Sequence, residues 1–171
     1  LGMHIVYHNR TRLSEELEMQ GMPEGKRMEY ALSLDSLLGQ SDVGRLHCPL
    51  TPQTHHLIGA AQLARMPSHA ILINTARGPI VDEAALVDAL DQGVIAGAGL
   101  DVYEKEPEIH PGLLRLSTSK ALLLPHVGTL TLQTQTDMEA VCLRNLEHGL
   151  QTGRLLYTVK EQEGLGLCAQ I

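Results

Sequence analysis

The 171-residue sequence has almost no aromatic side chains: four Tyr, no Phe and no Trp. Its core must therefore be aliphatic, and it has no set of rings on which unpaired bases could stack. Cationic residues are also scarce, with 13 Lys and Arg against 20 Asp and Glu, a formal net charge of -7. A chain of this charge with no basic run repels phosphate backbones, which argues against nucleic-acid partners. Three widely spaced cysteines, Cys48, Cys142 and Cys168, form neither a disulfide framework nor a zinc pattern, and fit a reducing, cytoplasmic setting. His55 and His56 are adjacent, with no carboxylate following at ligand spacing, so no metal site is expected there. No apolar run approaches the roughly 18 residues that cross a bilayer, so no membrane association is expected.

With 43% hydrophobic residues, the chain has enough apolar material for one packed domain. Its organising stretch runs from Ile71 to Pro107. Ile71, Leu72 and Ile73 are a short apolar run suited to a strand buried on both faces. Thr75, Ala76, Arg77, Gly78 and Pro79 make a turn, and Asp82 stands where an N-cap accepts the first free helical N–H groups. Leu86, Ala89 and Leu90 share one helical face, and Gly93 sits at the position of a left-handed C-terminal cap. Val94 to Leu100 reads as a second strand that breaks into the acidic Asp101 to Pro107. A strand, helix and strand over about 30 residues form a parallel crossover unit. Ligands of such sheets bind beyond the carboxyl ends of the strands, where Arg77 and Glu106 fall.

Around this unit, Met3 to Tyr7 reads as a strand and Ser14 to Lys26 as a short helix followed by an exposed loop. Met28 to Ala31 reads as a brief strand, Asp35 to Leu38 as a helical turn, Val43 to His47 as a strand and Ala60 to Arg65 as a short helix. Glu108 to Lys120 is a loop with a helical turn, and Ala121 to Leu124 the last buried strand. Pro125 keeps that strand extended to its end, and His126 emerges directly after it. Arg77, Glu106 and His126 thus all follow strand ends, which lets one crevice collect residues far apart in sequence. Thr131 to Gly153 is a long helix, expected to pack through Met138, Cys142, Leu146 and Leu150. The domain is expected over residues 1–158, with a tail at 159–171 whose terminal Cys168-Ala169-Gln170-Ile171 does not make a prenylation box.

NTARGPIVDEAAL and GLDVYEKEP, with HCPLTPQT at His47 to Thr54 and LLPHVGT at Leu123 to Thr129, resemble the D-isomer-specific 2-hydroxyacid dehydrogenases from Leu1 to about Lys160. The resemblance implies an α/β fold: an incomplete Rossmann-type parallel sheet flanked by helices, lacking the first strand and its phosphate-binding loop. It implies hydride transfer between NAD(P)H and a small 2-keto or 2-hydroxy acid, with glyoxylate or hydroxypyruvate favoured. Arg77 would anchor the substrate carboxylate and His126 carry the proton. Glu106 would hold the imidazole, with Glu104 as the competing carboxylate. Asn9, Arg10 and Thr11 would meet the adenosine ribose. His8 occupies the usual position of an acid, and Arg10 that of the arginine in NADP-type members, so NADP is favoured and NAD is the alternative; Arg10 and Arg12 as a plain solvated pair is the competing reading. Cys48, Pro49 and Thr51 would contact the cofactor, and Thr75, Ala76, Arg77, Asp101, His126, Gly128 and Thr129 its nicotinamide side. The family implies a homodimeric parent protein. Because the chain starts at Leu1-Gly2-Met3 without the segments that precede this stretch in the family, it is expected to be a fragment inactive on its own. Two other readings stand beside the enzyme: a nucleotide-sensing, corepressor-like module, and an inert piece.

Overall fold

A computed structural model describes residues 2–159, and the terminal tetrapeptide discussed above lies outside them. The chain divides into two compact units, one up to His126 and one from Val127 on. In the first, four parallel strands stand in sequence order: β3 (Val43–Leu46), β4 (Ile71–Asn74), β5 (Gly97–Leu100) and β6 (Ala121–Leu123). Helices α3 (Ala60–Leu63), α4 (Glu83–Gln92) and α5 (Pro111–Leu116) make the crossovers between them. Before this sheet, β1 (Val6–Tyr7) and β2 (Glu29–Tyr30) pair in parallel as a separate two-stranded sheet, with α1 (Glu15–Met19) between them and α2 (Leu34–Leu38) after. In a doubly wound sheet of order 3-2-1-4, the strand at position 1 lies between those that correspond here to β1 and β3, and these two do not pair among the described residues.

The central helix forms as its sequence dictates. Asp82 accepts a hydrogen bond from the Ala85 N–H at 3.0 Å, and Gly93 closes the far end with φ 71°. The Val94 N–H then bonds the Ala89 carbonyl at 2.8 Å. Val94 is therefore spent finishing the helix, and the second strand begins at Gly97, three residues later than expected. Leu86 and Leu90 are fully buried against Leu72, Leu63 and Leu113, each contributing about 1.5–3 kcal/mol by leaving water.

Strand burial alternates. Leu72, Asn74, Ala98, Leu100 and Ala121 are buried, whereas Val43, Ile71 and Leu122 are exposed. This corrects the expectation that Ile71 to Ile73 is covered on both faces: among the described residues of this unit, the helices pack on one face, and Ile71 points to the other.

Ser14 to Lys26 forms the expected short helix and exposed loop. Within the helix, however, Glu18 is completely buried, accepting from the Tyr7 hydroxyl at 2.7 Å and from Arg12 Nε and Nη2 at 2.7 and 3.0 Å. Its carbonyl accepts the Met28 N–H at 2.8 Å, and the Leu13 N–H donates to the Tyr7 oxygen at 3.0 Å. Arg12 is thus bound to a buried acid, which removes it from the solvated pair it was read to form with Arg10.

In the second unit, α6 (Leu132–Thr152) starts on a Thr131 cap to Thr134 and ends at Gly153, φ 72°. The Asn145 side chain exchanges two hydrogen bonds of 3.0 Å with the Tyr157 backbone. No residue of α6 is buried, and Leu146 and Leu150 are 58% and 80% exposed. The expectation that this helix packs through that ridge is not met. No helix among the described residues is long and apolar enough to cross a membrane.

The Arg12 and Tyr7 hydrogen bonds pull the Glu18 carboxyl down to about 2. A depressed acid stabilises the fold above its ordinary titration range and ceases to do so as pH falls through the folded value. Glu18→Gln is therefore expected to lower the melting temperature at pH 7, and the gap to wild type should close as pH drops from about 4.5 toward 2. A gap that stays constant across that range contradicts the role given to the charge.

Candidate active site

Three loops leave the carboxyl ends of β4, β5 and β6, and each carries one charged or titratable side chain of interest. The β4 loop is shaped by Asn74, the buried last residue of the strand. Its amide donates to the Arg77 carbonyl at 2.9 Å and accepts from the Ala76 N–H at 3.0 Å. The turn is thereby fixed from below while the Arg77 side chain stays exposed, donating to the Ala76 carbonyl at 2.7 Å. Thr75 is exposed and Ala76 half-buried beside it.

On the β5 loop, Asp101 is buried and its N–H bonds the Asn74 carbonyl at 3.0 Å, tying this loop to the previous one. Tyr103 is buried too. Its hydroxyl donates to the Leu124 carbonyl at 2.8 Å, and its N–H donates to Glu106 Oε1 at 2.9 Å. The other carboxylate oxygen, Glu106 Oε2, lies 2.8 Å from Nδ1 of His126. Glu106, and not Glu104, is the acid that meets the histidine.

The bond to His126 holds the Glu106 carboxyl below its usual range, helped by the Tyr103 N–H and by the positive charge of Arg77. An ionised carboxylate only accepts, so Nδ1 is the donor in this bond. His126 adopts φ 56°, in the left-handed region that few non-glycine residues enter. Nothing in the local sequence signals that conformation.

Gly78 explains how closely the loops approach. A Cβ built there would lie 1.9 Å from both the carbonyl carbon and the oxygen of Tyr103, and 2.6 Å from the Glu104 nitrogen. The Arg77 turn and the Glu106 loop pack backbone against backbone, a contact that only glycine permits.

Beyond β3 and β4 the surface opens into a cleft of about 560 Å³ lined by Leu46 to Leu50 and Thr75 to Arg77. Cys48 and Pro49 lie on one wall. Burial pushes the Cys48 thiol up, so it stays protonated and unreactive at neutral pH. Thr51 turns its hydroxyl toward that of Thr54 at 3.1 Å, and Thr54 in turn donates to the Pro49 carbonyl at 2.7 Å.

Asn9, Arg10 and Thr11 are exposed after β1. The Asn9 side chain accepts the Arg10 N–H at 2.9 Å, and Tyr30 donates to the Asn9 carbonyl at 3.0 Å. The Arg10 guanidinium makes no hydrogen bond or ion pair among the described residues, in contrast to Arg12. His8 is held at 2.9 Å to the Ala31 carbonyl and stacks on Tyr30. Gly128 and Thr129 belong to the second unit and are not placed relative to these loops.

Residues 1–128 match the family model described as D-isomer specific 2-hydroxyacid dehydrogenase, NAD binding domain. The chain is 44% identical to 4-methyl-2-oxopentanoate reductase A of Aspergillus oryzae over 96% of its own length and 47% of that protein's. Among solved structures it resembles a glyoxylate reductase from Paecilomyes thermophila, 47% identical with a TM-score of 0.83, over 95% of this chain and 46% of that one. It also resembles an NADPH-dependent glyoxylate/hydroxypyruvate reductase from Sinorhizobium meliloti, solved with NADP and malonate, 34% identical with a TM-score of 0.81, over 99% of this chain and 49% of that one. The chain spans about half the length of the relatives it matches.

Proposed function

The chain belongs to the D-isomer specific 2-hydroxyacid dehydrogenase family through its NAD-binding domain, and on that premise we propose that the protein containing it reduces a small 2-keto acid with NADPH. Residues 1–158 are read as part of one nucleotide-binding domain of that enzyme. The observation that carries the proposal is the 2.8 Å contact between His126 Nδ1 and Glu106 Oε2, on loops packed against the Arg77 turn.

Reduction of a 2-keto acid needs a cation for the carboxylate, a proton donor at the carbonyl oxygen and a hydride. The exposed Arg77 guanidinium supplies a planar fork that binds a carboxylate through two hydrogen bonds and so orients the neighbouring carbonyl. His126 gives its Nε2 proton to the carbonyl oxygen as charge develops there, and Glu106 stabilises the imidazolium beforehand. A bound nicotinamide supplies the hydride. We assign its ring to the cleft along Cys48, Pro49, Thr75 and Ala76, with Thr51 and Asp101 as further contacts. Glyoxylate or hydroxypyruvate is the favoured substrate, supported by the names of the relatives. The homodimer common in the family belongs to the same proposal.

Preference for NADP rests on Arg10. It is exposed and without a side-chain partner among the described residues, where the adenosine ribose lies in this fold, and its sequence neighbours His8, Asn9 and Thr11 bring no carboxylate.

In the whole protein, His126→Ala is expected to cut keto-acid reduction by about 10²- to 10⁴-fold while leaving cofactor affinity nearly unchanged. Steady-state kinetics with a fluorescence titration of NADPH checks both parts, and undiminished turnover removes His126 from the mechanism. Arg10→Asp is expected to move the preference from NADPH toward NADH, because the new carboxylate repels a 2′-phosphate and accepts from ribose hydroxyls. The readout is the ratio of the two kcat/KM values. A wild type that already prefers NADH contradicts the cofactor assignment.

A further inference from the structure

We propose that His56 is a positioning residue for this reaction, bracing the turn that carries Arg77 against the loop that carries Glu106, with Glu104 as its partner. The inference rests on the roles given above to Arg77, Glu106 and His126.

His56 reaches the first loop through its backbone. Its N–H donates to the Pro79 carbonyl at 2.8 Å, two residues after Arg77, and the pairing continues with Ile58 N–H to Ile80 and Asp82 N–H to Ile58 at 3.1 and 3.0 Å. The segment from His56 to Ile58 thus lies alongside the exit of the Arg77 turn. It reaches the second loop through its ring, whose Nε2 is 2.9 Å from Glu104 Oε1. Nδ1 faces a different carboxylate, Asp82 Oδ2, at 3.9 Å. The ring thus lies between two carboxylates, in hydrogen-bond contact with Glu104 and farther from Asp82.

Glu104 is held from a second side as well. Its Oε1 accepts the Glu83 N–H at 3.0 Å, and its own N–H donates to Glu83 Oε1 at 2.7 Å. Glu104 follows directly on Tyr103, whose N–H aligns the Glu106 carboxylate that meets His126. Movement of Glu104 therefore moves the donor that orients Glu106. Only two non-glycine residues among those described have positive φ, His56 at 50° and His126 at 56°. One is the proposed proton carrier. The other is the brace, and its unusual backbone is what lets one residue face Pro79 with its N–H and Glu104 with its ring. Both groups belong to loops that already touch at Gly78, so the brace fixes the angle between them.

The test uses the whole protein with His56→Asn and Glu104→Gln. Asn tolerates positive φ but is too short to reach Glu104, and Gln keeps the shape and an acceptor while losing the charge. His56→Asn is expected to lower kcat by about 10- to 100-fold through misplacement of the acid–base pair, with the KM for NADPH unchanged. The apparent pKa of the proton donor in the kcat/KM profile should fall, because a displaced Glu106 stabilises the imidazolium less. The double variant should be no worse than the poorer single one, since the two residues act as a unit. An NMR titration of His126 gives the same pKa without turnover, so it decides the brace even if the wild type reduces no keto acid, an outcome that sinks the functional reading alone. An unchanged His126 titration with kcat within about twofold of wild type overturns the proposal. So does a loss of rate that only tracks the loss of folded protein in thermal melts. If His56→Asn does not fold, Glu104→Gln decides on the same readouts.

Discussion

The backbone contact at Gly78 is the constraint on which the site depends. A side chain there would stand 1.9 Å from the Tyr103 carbonyl, so glycine alone lets the β4 and β5 loops close on one another. From that contact the rest follows in short steps. Arg77 precedes Gly78, Glu106 lies three residues past Tyr103, and the Tyr103 N–H fixes the carboxylate that receives His126. The parallel sheet brings three strand ends together, and the loops then need no further length to form one group.

Much of this arrangement was legible in the residues, for a physical reason. Helix caps and strand ends are local signals, so Asp82, Gly93 and Thr131 mark their helices, and Arg77, Glu106 and His126 fall after strands wherever the strands register. The parts that escaped depend on contacts between distant segments. Glu18 reads as one charge among several in an exposed stretch, yet Tyr7 and Arg12 make it the anchor of the β1–β2 layer. His56 reads as half of a surface pair because its partners, Pro79 and Glu104, lie 23 and 48 residues away. The apolar ridge of α6 shows the converse error: periodicity establishes a helix with an apolar side but does not say what covers it.

Charge is handled in two different ways in this chain. At Glu18 a carboxylate is removed from water and answered at once by a bidentate guanidinium and a hydroxyl, which makes it structural. At Glu106 the carboxylate stays partly open to water and is answered by an imidazole and one N–H, which holds it below its usual range and so keeps it charged beside the histidine. Arg12 and Arg77 divide in the same way. The first has its fork filled by a buried acid, and the second stays exposed with one bond to the Ala76 carbonyl.

The central claim is that Arg77, His126 and Glu106 act on one substrate molecule. It is tested most directly by a crystal structure of the whole protein with NADP and an unreactive 2-keto acid analogue such as oxamate. The account predicts the analogue's carboxylate on the Arg77 guanidinium, its 2-oxygen within hydrogen-bond distance of His126 Nε2, and the bond from Nδ1 to Glu106 retained. An analogue bound away from Arg77, or a His126 ring turned so that Nε2 faces Glu106, would contradict it.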